Sequence, residues 1–187
     1  MIMQTGLPES ENSCQWFVLR DLKRANAKLP AYKQLAEAGF DVFTPLTTRI
    51  SVNGGKRMKE DVPVIRDLLF VHATRSDLDP VVARTDTLQY RFVRGGKYCD
   101  PMTVPAVDMH RFITAVGSSE KVRYYQPAEI TPDMLGAEIR LVCDGPLDGY
   151  TGRLLKVRGS SRRQLLVQLP GLLLAAVEVS PTFIQLM

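Results

Sequence analysis

Absences narrow the field before any motif is read. The 187-residue sequence has one tryptophan, two histidines and three cysteines. Cys14, Cys99 and Cys143 are far apart and odd in number, form no CxxC pair, and are not joined by His72 or His110 at metal-ligand spacing. Reduced thiols are expected, with no metal and no cofactor. No apolar run approaches the ~20 residues that span a bilayer. The first fifteen residues, MIMQTGLPESENSCQ, lack a basic region followed by an apolar one, so a signal peptide is not expected. These features point to a cytoplasmic protein without membrane contact. The stretch GPLDGYTG (145–152) has the glycines of a phosphate-binding loop, but neither its Lys-Ser/Thr ending nor a helix after it. Asp144, Asp148 and Glu178 lie at no spacing that forces them into one pocket, as acid–base catalysis requires. Enzymatic activity is not expected.

What is present suits folded, soluble domains. Hydrophobic residues make up 45% of the chain and charged residues 24%. The net charge of +4 is spread out, with 16 basic against 13 acidic side chains over 1–117 and 6 against 4 over 136–187. Such an excess permits contact with nucleic acid without requiring it.

Patterning divides the chain in two. After a flexible tail (1–15), WFVLRDL reads as a strand and LPAYKQLAEAG as a helix with Pro30 in its first turn and Gly39 as its stop. Tyr32, Leu35 and Ala36 are expected on its buried face. FDVFTPL is a second strand. Asn53-Gly54-Gly55 lies between alternating segments, the signature of a hairpin. DLLFVHAT is a buried strand, Asp79-Pro80 opens a short helix, and QYRFVRGG is a further strand. In PAVDMHRFITAVG, the residues Met109, Phe112, Ile113 and Val116 form one helical stripe. The β-α-β-β-β-α-β-α order describes an α+β fold, an antiparallel sheet with packed helices, over 16–117. Residues 118–135, with two prolines and mixed charge, read as a linker. Over 136–187, five short strand-like segments (EIRLVCD, YTGRLLKVRG, QLLVQLP, LLLAAVEVS and FIQLM) suggest a small closed all-β barrel. There the Gly-Pro and following glycines are backbone hinges.

The two units in this order resemble the NusG family of transcription elongation and antitermination factors. The C-terminal unit is similar to a KOW domain. Its motif falls on Ile139-Arg140-Leu141, Gly145-Pro146-Leu147, Gly149 and Gly152. The N-terminal unit is similar to the family's polymerase-binding (NGN) domain, through WFVL, DVFTPL and LLFV. The segments WFVLRDLKRANAKLPAYK, LLFVHAT and QYRFVRGG resemble the UpxY-type paralogues of capsular-polysaccharide operons. One departure stands out: relatives carry an aromatic-proline-glycine-aromatic element where this chain has Ile65-Arg66-Asp67-Leu68.

The resemblance implies an adhesive, monomeric factor that binds the RNA polymerase clamp helices and favours the elongating state. Its further partners would be non-template DNA or nascent RNA, and the ribosome through the KOW domain. A polymerase contact is expected at Arg20, Ile65, Leu68 and Phe70, where Phe70 either docks on the partner or fills the sheet core. Nucleic-acid contact is expected at Lys23, Arg24, Arg84 and Arg91, or these are ordinary surface charges. The hairpin would present Arg49, Lys56, Arg57 and Lys59 to the polymerase gate loop or upstream DNA, or these charges blunt an edge strand. Arg158, Arg162 and Arg163 flank a loop of the barrel. A general elongation factor and an RNA- or ribosome-binding KOW protein are the alternative readings.

Overall fold

The computed structural model describes residues 13–23, 29–53, 55–95, 99–119, 121–156, 159 and 162–187. Arg24, Gly54 and Arg158 lie outside the described residues, as does the expected tail up to residue 12. The chain divides into two compact units between Pro105 and Ala106. Among the described residues, no helix is long and apolar enough to cross a membrane.

The first unit is built on β1 (Gln15–Asp21), which pairs antiparallel with β5 (Leu69–Ala73) on one side. On its other side it meets β6 (Leu88–Tyr90) and β7 (Thr103–Val104). β2 (Asp41–Phe43) completes the sheet beyond β5. Strand alternation sends Phe17, Leu19, Leu69, Val71 and Ala73 to one face. There they pack on Ala31 and Leu35 of α1 (Ala31–Glu37) and on Leu78 of α2 (Arg75–Arg84). Trp16, Val18 and Phe70, on the opposite face, are buried as well. Burial on both faces is why WFVL and LLFV read as continuous apolar runs.

Several boundaries differ from expectation. Gln15 belongs to β1 and not to a tail. Helix α1 buries Ala31 and Leu35, while Ala36 is exposed and Tyr32 half-buried. Pro30 precedes its first turn, and Gly39 (φ +89°) follows its last. Helix α2 begins four residues before Asp79, because Thr74 caps it by accepting a hydrogen bond from the Asp77 amide. Pro80 therefore lies inside the helix. β6 stops at Tyr90, since the chain then turns to pair with its own return: Val93 N donates to Asp100 O and Met102 N to Arg91 O. Four strands lie between α1 and α2 where three were expected, because β3 (Leu46–Asn53) and β4 (Lys56–Pro63) form a ribbon of their own.

A polar clamp ties α2 to β6. Arg75 grips both oxygens of Asp79 with Nε at 2.9 and 3.1 Å, and Tyr90 Oη donates to the same carboxylate at 2.7 Å. Burial pushes the Asp79 carboxyl up, but the hydrogen bonds from Arg75 and Tyr90 and the Arg75 charge outweigh it and hold its pKa below the ordinary value. A carboxylate depressed on folding contributes stability above its unfolded pKa of about 3.9 and loses it as pH falls through the folded value. Asp79→Asn should therefore flatten the acid limb of the stability curve below about pH 4, as read by urea unfolding at stepped pH. Tyr90→Phe should cost about 1 kcal/mol at neutral pH.

The second unit contains α3 (Ala106–Gly117) and a six-stranded antiparallel sheet in the order β13-β9-β10-β11-β12-β8. Its strands are β8 (Val122–Tyr125), β9 (Leu135–Leu141), β10 (Thr151–Leu155), β11 (Arg163–Leu169), β12 (Leu173–Val179) and β13 (Ile184–Leu186). Ile139, Leu141, Leu165, Val177 and Val179 fill the core with Ala115 of α3. Arg111 of α3 stacks its guanidinium 4.9 Å over the Tyr150 ring, whose hydroxyl donates to the Arg111 carbonyl at 3.2 Å. Met109, Phe112 and Ala115 form the buried stripe, with Ile113 and Val116 half-buried beside it.

Two corrections concern this unit. By its packing, α3 belongs with the second sheet, and 118–135 is more than a linker. Val122–Tyr125 pairs with Leu174–Val177 and covers the edge of β12, and Pro127 and Pro132 each start a short 3-10 turn. β9 then starts at Leu135. From Leu135 onward this region is all-β, as expected, and its described strands follow the sheet path from β13 to β12, with β8 beyond. LLLAAVEV is a strand between turns, as its flanking prolines suggest.

Candidate functional site

The register of β1 determines where its charged end lies. Phe17 and Leu19 point to the helices, so Trp16, Val18 and Arg20 share the opposite face. Arg20 lies across from Gln89, and Arg91 N donates to Val18 O, which places Arg91 diagonally beside Arg20. Both arginines reach one acceptor. Arg20 Nε lies 3.1 Å and Arg91 Nη2 3.2 Å from Asp67 Oδ2, in the turn before β5. The Arg91 Nε is buried and has no hydrogen-bond partner among the described residues. Phe92 and Val93 are exposed beside this cluster, 49% and 41% accessible. Sequence reasoning missed Asp67 as the point of convergence. The signal was available in the replacement of an aromatic-proline-glycine-aromatic element by Ile65-Arg66-Asp67-Leu68.

The expected apolar docking patch takes a different form. Leu68 and Phe70 are buried, and Phe70 packs its ring against Phe43 with centroids 6.1 Å apart. Both belong to the core: Phe70 lies on β5, which is covered on both faces, and Leu68 is buried just before it. Ile65 is half-buried. Arg20, expected to be free for a partner, is paired internally with Asp67.

Of the residues expected to form one nucleic-acid surface, the three described ones, Lys23, Arg84 and Arg91, do not gather. Arg84, at the end of α2, lies on the helix face of the sheet and donates to Pro80 O at 3.0 Å. Arg91 is on the opposite face. Lys23 follows β1, where its amide donates to Asp21 Oδ1 and its Nζ to Leu29 O. Asp21 Oδ2 also accepts from the Ala31 amide at 2.8 Å, so one carboxylate fixes both ends of the β1–α1 connection. Lys23 instead shares a groove with Lys33, Arg49 and Arg66, interleaved with Asp21, Glu60 and Asp61.

In the ribbon, Ile50 pairs with Lys59 and Val52 with Arg57, whereas Arg49 pairs with Glu60 and Asn53 with Lys56. Directly opposed residues share a face. The four cations are therefore split in pairs between the two faces, and Arg57 and Lys59 accompany the exposed Ile50 and Val52. These exposed aliphatic residues were also missed, because alternation in sequence reads as burial on one face.

In the second unit, Gly149 (φ +72°) has a backbone that disfavours any side chain, and its amide donates to Leu141 O. A Cβ on Gly152 would lie 2.9 Å from Leu165 Cδ1 and 3.0 Å from Leu166 O. Gly145 has open space around it, and Pro146 is exposed. Arg162 pairs with Glu178 at 2.7 Å.

Comparison with known proteins bears on this arrangement. No curated protein sequence compared matches the chain. Among solved structures, one from Thermotoga maritima, described as "Domain interaction in Thermotoga maritima NusG", is similar at 13% identity and a TM-score of 0.46. That similarity covers 92% of this chain and 97% of the other. The family model described as "Transcription termination factor nusG" matches residues 14–113. The matched span runs through the whole first sheet, the Arg20–Asp67–Arg91 cluster and the ribbon into α3. On that match, over more than half of its length, the chain belongs to the NusG family of transcription factors.

Proposed function

We propose that the protein binds RNA polymerase at the clamp helices and promotes read-through of pauses and terminators, in capsular or surface-polysaccharide operons. The family match over 14–113 carries this reading, since NusG-family factors typically bind polymerase and are not enzymes. Such a factor works by holding the elongating state more tightly than the paused one, and a differential affinity of about 1–3 kcal/mol changes the balance roughly 5–150-fold. The ribbon would reach the gate loop or upstream DNA, and the groove holding Lys23 would meet the non-template strand or nascent RNA. The second unit would act as a KOW domain and offer a ribosome contact. The five strands in order β13-β9-β10-β11-β12 and the constrained Gly149 and Gly152 support that assignment. The protein would act as a cytoplasmic monomer.

The test is retention of the tagged protein from lysate at moderate salt. Retention by RNA polymerase is expected, whereas retention only by ribosomes or free RNA would contradict the reading. Lys23→Ala with Arg24→Ala should reduce occupancy at surface-polysaccharide operons more than binding to core polymerase. Equal losses in the two assays would count against sequence-dependent contact at that groove.

A further inference from the structure

We infer that the cleft formed by Arg20, Asp67 and Arg91 receives a carboxylate-bearing segment of a protein partner, and that Asp67 holds the place the partner's carboxylate takes on docking. The inference rests on the polymerase-binding reading and names the chemistry of the surface met there.

The cleft, about 430 Å³, is lined by Arg20, Asp67, Arg91, Phe92 and Met102 among others. Two guanidiniums share one carboxylate oxygen, which leaves one positive charge in excess. Each guanidinium has five donors in a planar fork suited to a carboxylate, and the Arg91 Nε is buried with no partner among the described residues. The ion pairs are partly exposed, with the Arg20 side chain 48% and the Arg91 side chain 29% accessible. Pairs of that kind are weak and screened, so exchanging Asp67 for a partner's carboxylate meets little resistance.

The rim favours protein over nucleic acid. Of its lining residues, Phe92 is exposed and Met102 is half-buried. An aromatic residue and a methionine beside arginines match the composition of protein-binding patches. A phosphodiester strand is met by a track of cations. Only two line this cleft, with a carboxylate between them. The occupant is thus an acidic and apolar surface, such as one face of an amphipathic helix. Charge complementarity fixes its orientation, because the partner's carboxylate takes the position of Asp67 between the two guanidiniums.

The experiment measures the affinity of the full chain for core RNA polymerase at two salt concentrations. The double variant Arg20→Gln, Arg91→Gln should bind about tenfold more weakly or worse, with a shallower salt dependence. Asp67→Asn should bind several-fold more tightly, since the internal competitor for both guanidiniums is gone. A gain of affinity cannot arise from misfolding. Wild-type binding that the double variant leaves unchanged, or that Asp67→Asn fails to tighten, overturns this inference alone. Absence of wild-type binding overturns the functional reading and the inference together. A parallel titration with a 20-nucleotide single-stranded DNA oligonucleotide separates the two ligand classes. If the arginine variants lose DNA affinity while keeping polymerase affinity, the cleft is a phosphate site and the inference is wrong.

Discussion

Phe70→Ala should lower the stability of the first unit by about 3–5 kcal/mol, the range for emptying a buried aromatic position. Phe70 has no exposed surface. Its ring meets Phe43 on the neighbouring strand, and its backbone sits in register with Val18 and Phe43. Truncation leaves a cavity that β1 and β5 cannot close, because their other face is already committed to Leu19, Leu69 and Val71 against the helices. A domain's total stability is about 5–15 kcal/mol, so the loss is a large fraction of it. The measurement is urea unfolding followed by the fluorescence of Trp16, which lies in the same sheet. Phe70→Leu should cost less than Phe70→Ala. A surface role predicts the opposite pattern, with stability unchanged and only partner binding reduced.

The second large effect concerns Gly152. Gly152→Val should destabilise the second unit by about 3 kcal/mol or more, and Gly152→Ala by about 1–3 kcal/mol, within the range for overpacking. The position lies on β10 opposite Ile139 of β9. A Cβ there meets the Leu166 carbonyl oxygen, which is backbone, and the side chain of Leu165, which is fully buried. The carbonyl oxygen cannot withdraw without disturbing the β10–β11 pairing. Thermal unfolding of Gly145→Ala provides the control. Gly145 has open space and no positive φ, so that change should be nearly silent. Equal effects at the two glycines would contradict the packing argument.

These two positions also show what the sequence can and cannot reveal. Strands and helices with strong patterns were legible: WFVL, LLFV, the Asn-Gly-Gly hairpin, the 106–117 helix and the five C-terminal strands all appear. Segments whose structure depends on tertiary partners were not. VRYY reads as linker because four residues flanked by prolines and serines carry little intrinsic strand signal. What makes them a strand is the open edge of β12. Helix α3 was placed with the segment before it because proximity in sequence is all a single chain offers. Its buried stripe was legible, but its partner was not.

The site was legible in its residues more than in its arrangement. Arg20 and Arg91 were singled out for different partners, yet strand register brings them onto one carboxylate. Arg84 and Arg91 were grouped, yet they emerge on opposite faces of the sheet. A period of two tells which residues share a face within one strand, but not how neighbouring strands are offset. Exposed Ile50 and Val52 escaped notice for a related reason. In a two-stranded ribbon with no third layer, alternation no longer implies burial.

Action on transcribing polymerase is what separates the proposed function from RNA or ribosome binding. It is tested most directly by in vitro transcription with the host's core polymerase on a template carrying a pause site and a downstream terminator. The wild-type chain is expected to co-migrate with the elongation complex and to increase the fraction of transcripts extending past the terminator. The Arg20→Gln, Arg91→Gln variant should do so only at higher concentration. A chain that leaves read-through unchanged and fails to join the elongation complex at any concentration would contradict it.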